Sequence, residues 1–189
     1  MCKAFYLFIA ACVLFVSAGC TLLPPVKEKE VVLYDLCQKD ERSAAGHILS
    51  VSAFSDLTGN GTRMAVREKD GSLRLDSNNR FTVSPAQLLR RKLALYFAAD
   101  SRKEAKTVLT GTLLRFEYLR EGREVHMVCS YTLRRGKETV TLLHDLRSKV
   151  RKEGSSEIAA AFEEVFLISA RRLAKEIAAW QKQLEKDKK

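Results

Sequence analysis

The chain has no apolar run long enough to cross a bilayer. Its most apolar stretch, residues 4–16, contains 13 residues, against the roughly 20 that a spanning helix needs at about 1.5 Å per residue. A transmembrane helix is therefore the weaker reading of that stretch. Histidine is equally scarce. His47, His126 and His144 are far apart in sequence, and none sits at a His-x-x-x-His spacing or beside a second ligand, so metal binding is not expected. There is no Gly-x-Ser-x-Gly elbow, no phosphate-cradling glycine loop and no catalytic cysteine context. Ser130, His144 and Asp145 could be written as a triad, but adjacent residues of a strand point to opposite faces, so His144 and Asp145 do not converge on one serine. The expectation is a chain without a metal, a cofactor or a catalytic centre. No internal repeat or interdomain linker appears either, and about 150 ordered residues suit one domain with one core.

What the N-terminus does contain is ordered. A single charge, Lys3, precedes the apolar run, which ends in Ser17-Ala18-Gly19-Cys20. That is a short basic region, an apolar region and a small-residue cleavage site, the pattern of a signal peptide spanning residues 1–19. Cys20 directly after Ala18-Gly19 resembles the lipobox of bacterial lipoproteins, in which the thiol is diacylated and becomes the first residue. The resemblance implies lipid attachment at Cys20. At about 0.8 kcal/mol per buried methylene, three acyl chains hold a domain at its membrane far beyond marginal anchoring. Thr21 is not the aspartate that retains lipoproteins in the inner membrane of Gram-negative bacteria, so the same resemblance implies the periplasmic side of the outer membrane. Residues 20–30, with Pro24-Pro25 and Lys27-Glu28-Lys29-Glu30, read as an extended tether, able to reach on the order of 30 Å.

Thirty-three Lys and Arg stand against 23 Asp and Glu, a balance that admits nucleic acid or anionic lipid as partners. An export signal removes nucleic acid. The charges are dispersed, as on a solvated surface. With residues 1–19 removed and Cys20 taken as the lipid attachment site, two free thiols remain, Cys37 and Cys129. An oxidising compartment would allow them to pair, while the apolar strand around each also suits a buried free thiol.

From residue 31 the pattern turns β-prone. Short runs at 31–34, 47–54, 62–66 and 73–76 read as a meander, with Asp56-Leu57-Thr58-Gly59-Asn60-Gly61 as a hairpin turn. Ser84-Pro85-Ala86-Gln87 reads as a serine N-cap, a proline at the first helical position and a capping-box glutamine. It opens a helix to about residue 99 with Leu89, Leu93, Tyr96 and Phe97 on one face and Arg90, Arg91 and Lys92 mostly away from it. Three longer strands follow. In the middle one Val125, Met127, Cys129, Tyr131 and Leu133 face one way, and Glu124, His126, Ser130, Thr132 and Arg134 largely the other. The strand at 107–119, with Leu114, Phe116 and Tyr118 alternating against Arg115 and Glu117, pairs with it through Glu121-Gly122. The strand at 139–150, with Val140, Leu142 and Leu146, pairs on its other side through Arg135-Gly136-Lys137. Residues 155 to about 182 read as a long amphipathic helix with Ile158, Phe162, Val165, Phe166, Leu173, Ile177, Trp180 and Leu184 at helical spacing, and 185–189 as a basic tail. The fold class is α+β: residues 31–184 form a single domain, a largely antiparallel mixed sheet with two main helices packed on one face.

Several of these segments together resemble the ABC-type transport auxiliary lipoproteins, a family that includes the lipoprotein of the paraquat-inducible intermembrane transport system. They are the lipobox, Leu33-Tyr34-Asp35-Leu36, the strand at 48–54, Asn79-Arg80-Phe81 leading into Ser84-Pro85-Ala86-Gln87-Leu88-Leu89, Thr110-Gly111-Thr112-Leu113-Leu114-Arg115-Phe116 and the terminal helix. Phe81 stands where the family usually has tryptophan, and Asp35 where threonine is commoner. The resemblance implies a non-catalytic component, anchored by lipid, that docks or receives the periplasmic end of a lipid-carrying assembly. Its implied partners are a mammalian-cell-entry-domain protein and ABC transporter subunits. A structural lipoprotein subunit of another envelope assembly is the alternative, and self-association through the edge at 31–36 or the terminal helix stays open.

Overall fold

Clean alternation makes β6 (Glu124–Arg135) the centre of the structure: Val125, Met127, Cys129, Tyr131 and Leu133 are each 0% exposed. On one side β6 pairs antiparallel with β5 (Thr107–Leu119), and on the other with β7 (Glu138–Lys149). The computed structural model describes residues 29–36, 49–98 and 105–186, and from Val31 on these form one α+β domain. The expected signal peptide, the expected lipidation site Cys20 and most of the stretch expected as a tether lie outside the described residues, as do Cys37 and His47.

Before β5 come β1 (Val32–Tyr34), β2 (Leu49–Asp56), β3 (Arg63–Arg67), β4 (Leu73–Phe81) and helix α1 (Pro85–Tyr96); after β7 comes α2 (Ser155–Lys186). Across the seven-stranded sheet the order is β1-β4-β3-β5-β6-β7, with β2 also pairing β5. The antiparallel pairs are β3–β4, β5–β6 and β6–β7. Both helices pack on one face, α1 over β2 and β5, α2 over β6 and β7. The terminal helix runs two residues into the stretch read as a tail.

The expected hairpin at 56–61 does not form. β2 and β3 both lie parallel to β5, β2 against residues 107–113 and β3 against 118–119. They are successive lengths of one edge, and the segment between them steps along β5 instead of reversing. Its glycines take the left-handed backbone, φ 73° at Gly59 and 59° at Gly61, as the turn chemistry requires. The reversal is overridden by pairing with β5. Leu57 N donates to Leu113 O at 2.9 Å. Where no strand covers β5, the buried Asn60 side chain substitutes, Nδ2 donating to Phe116 O at 3.1 Å. Asp56 Oδ1 closes the loop by accepting from Thr58 N and Oγ1.

At the same point β5 carries a bulge between Leu113 and Arg115, which shifts the alternation by one residue. Before it Leu109 and Leu113 point inward; after it Phe116 and Tyr118 do. Leu114, expected inward, is the extra residue and is 43% exposed. Two further expectations change. Ser84 starts α1 without a side-chain cap, its carbonyl accepting from Leu88 N at 3.0 Å. Lys92, expected outward, is 2% exposed and lies 3.5 Å from Glu163 Oε1 of α2, an ion pair between the helices.

The core is aromatic where the halves of the sheet meet. Phe162 of α2 stacks on Phe116 at 4.0 Å and meets Phe81 of β4 edge-on at 5.8 Å, geometries worth about 0.5–1.5 kcal/mol each beyond area burial. Gly111 of β5 is bare because the Phe54 ring lies across it: a Cβ there would stand 2.3 Å from the ring. The ring continues over the strand to Tyr131, 6.1 Å away.

Candidate functional site

Under α2, four side chains form a continuous polar chain through the core. Tyr131 of β6 and His144 of β7 face inward, and Ser169 and Glu176, two turns apart on α2, meet them. Ser169 Oγ lies 2.7 Å from Tyr131 Oη and 2.8 Å from His144 Nδ1, and His144 Nε2 lies 2.8 Å from Glu176 Oε2. Glu176 Oε1 accepts from Arg172 Nε at 2.9 Å. A carboxylate only accepts, so Nε2 carries the proton. Nδ1 then accepts from Ser169, and Ser169 accepts from Tyr131. Burial pulls the His144 pKa below its ordinary 6.5, against the opposing pull of Glu176. Burial also pushes the Glu176 carboxyl up, but hydrogen bonds from His144 and Arg172 outweigh it and hold the group below its ordinary 4.5.

Serine, histidine and glutamate in sequence invite comparison with a hydrolytic triad. Ser169 and His144 are each 0% exposed, and the serine oxygen already serves Tyr131, so no substrate carbonyl reaches it. The relay ties α2 to β6 and β7. Sequence reading missed Ser169 and Glu176, although their seven-residue separation, with Arg172 four residues before Glu176, places all three close together on the helix surface.

The remaining sequence candidates are separated. His144 pairs with Cys129 and Ser130 with Leu143 across the ladder, which puts His144 on the core face and Ser130 and Asp145 on the other. Asp145 binds a different histidine, its Oδ1 2.8 Å from His126 Nε2. His126 and His144 are 2% and 0% exposed; the first is held by Asp145 and the second by Ser169 and Glu176 of α2. Cys129 is a buried free thiol, pushed up to about 12 by burial, which leaves it protonated and unreactive. Among the described residues no three His, Cys, Asp or Glu side chains gather as a metal site, and no helix is long and apolar enough to cross a membrane.

A cleft of about 650 Å3 opens at the end of the sheet, between the β3–β4 and β5–β6 turns and the start of α2. Met64, Val66 and Tyr118 form its floor. Arg74 and Arg120 stand on its wall, both bound to Glu68 at 3.1 and 2.8 Å. These guanidinium hydrogen bonds hold the Glu68 carboxyl below its ordinary value. Charged side chains of both signs line the cleft, Lys69, Arg74, Arg120 and Arg123 against Asp76, Glu121 and Glu153.

No protein-family model and no curated protein matches the chain. Solved structures share the fold. A DUF330 protein from Xanthomonas campestris overlays with a TM-score of 0.62 at 18% identity, covering 81% of this chain and 99% of that one. An uncharacterised protein overlays at 0.66 with 16% identity, covering 78% and 99%. At these identities the likeness defines the architecture alone.

Proposed function

We propose that this chain is a non-catalytic lipoprotein of the bacterial envelope, anchored through Cys20 on the periplasmic side of the outer membrane. There it serves as the auxiliary component of an ABC-type intermembrane lipid-transport system. The observation that carries the reading is the joint occurrence of Ser17-Ala18-Gly19-Cys20, a short charged tether and an α+β domain whose architecture is that of a DUF330 structure. A role without catalysis is favoured by the relay itself, whose serine is sealed and engaged on both sides. On this reading the domain docks or receives the substrate-carrying subunit, a mammalian-cell-entry-domain protein, while the acyl chains fix it at the membrane.

Crosslinking and pull-down of the tagged protein from its own envelope tests this. Enrichment of mammalian-cell-entry-domain or ABC transporter subunits over a Cys20→Ala control is the expected result. Recovery of a different outer-membrane assembly, or an unchanged yield of transporter subunits with Cys20→Ala, overturns it.

A further inference from the structure

We propose that the Tyr131–Ser169–His144–Glu176 relay is an acid-operated latch: protonation of His144 releases the part of α2 around Ser169 to Glu176 from β6 and β7. The inference is independent of the lipoprotein reading and rests on how the relay is wired. At neutral pH each hydroxyl and imidazole proton has an acceptor, and the carboxylate ends the chain. A second imidazole proton must go on Nδ1, where Ser169 now donates. Ser169 then has to turn its own proton away, and a full positive charge is left in a fully buried ring.

The groups facing that ring are few. Tyr131 lies edge-on at 4.8 Å, and the Cys129 thiol, its ladder partner, is protonated. From α2 come Ser169, Arg172 and Glu176. Glu176 supplies the only negative charge among these groups, and it is already shared with Arg172 at 2.9 Å. Leu142 and Leu146, the neighbours of His144 on the same strand face, are apolar. Opening the latch lets the imidazolium reach water, so acid favours the open form.

The sign follows from the depressed histidine. Closed, His144 is held neutral below its ordinary 6.5; open, it titrates normally. The contribution of His144 to closure is thus complete above about pH 6.5 and declines as the pH falls below it. Between pH 7.5 and 5.0 the opening equilibrium should rise several-fold, with a ceiling of about thirtyfold set by one histidine of ordinary pKa.

Hydrogen–deuterium exchange of the full-length protein in detergent, corrected for intrinsic rates, tests the latch at these two pH values. Faster exchange at residues 169–176 at pH 5.0, with β5 unchanged and the effect absent in His144→Gln, is the expected result. Equal protection at both pH values, or the same acid response in His144→Gln, overturns it. Glu176 is retained in that variant, so its own titration is separated from that of the histidine. Should the variant fail to fold, NMR titration of the native histidines decides: a midpoint for His144 below 6.5 supports the latch, and one at or above 6.5 defeats it.

Discussion

Strands β5, β6 and β7 run for 13, 12 and 12 residues and are joined in order by two tight turns, whereas β1 to β4 run for 3, 8, 5 and 9 and, apart from the short β3–β4 hairpin, find their partners elsewhere in the chain. In the first region each strand pairs with its neighbour in sequence, and α2 closes over β6 and β7. In the second, β1 joins β4 in parallel, and β2 and β3 share one edge of β5. Local pairing needs little loop closure before contacts form, while the parallel pairings close long loops first. Native-state exchange should therefore protect the β5–β7 ladder most, and the contacts that cross between the regions should decide whether the domain unfolds as one unit.

Phe162 bridges the two regions, since its ring touches both Phe116 of β5 and Phe81 of β4. Phe162→Ala should cost about 3–5 kcal/mol, the transfer loss plus the cavity left behind, measured by chemical denaturation. Loss below about 1 kcal/mol would mean that the two regions are not coupled through this ring.

The Lys92–Glu163 pair joins α1 to α2 with both side chains below a tenth exposed. Lys92→Met should cost about 3 kcal/mol, because it leaves a carboxylate buried without its cation. The double change to Lys92→Met and Glu163→Leu should recover most of it. A double variant no more stable than the single one would show that the pair is not the tie.

Gly111 marks the seam itself. Gly111→Val should cost about 1–3 kcal/mol by pushing Phe54 off Tyr131. A loosened β2 should lose amide protection before β6 does, and a uniform loss would remove the distinction between the regions.

The same comparison explains what the sequence showed and what it hid. The β5–β6–β7 ladder and α2 were legible because alternation, turn residues and helical spacing are local signals. The inward face of β6 was read residue by residue, and the span of β5 agrees with its structure. The reversal at 56–61 was misread because its glycines and Asp56 look the same whether the chain turns back or steps along a neighbour; only the partner, some fifty residues later, distinguishes them. Leu114 was misplaced by a bulge, whose one extra residue leaves no mark on composition. The relay was half visible: His144 and Tyr131 stood in readable strands, but Ser169 and Glu176 lay on a helix whose rotation over the sheet is set by packing.

The smallest effect belongs at the edge of the sheet, where Arg91 of α1 reaches Asp35 just beyond β1 at 2.9 Å. The side chains are 53% and 32% exposed, so water and salt screen the pair and holding two side chains in place offsets much of the attraction. Arg91→Ala should therefore lower global stability by less than about 1 kcal/mol. Its effect should be local, faster exchange at Tyr34 and Thr82, whose amide donates to Tyr34 O at 3.0 Å, with β5 to β7 untouched. High salt should reproduce part of that change in the native protein. If the substitution instead lowered protection across β5 to β7, β1 would have to be counted with the locally paired region, and the division of the sheet would lie elsewhere.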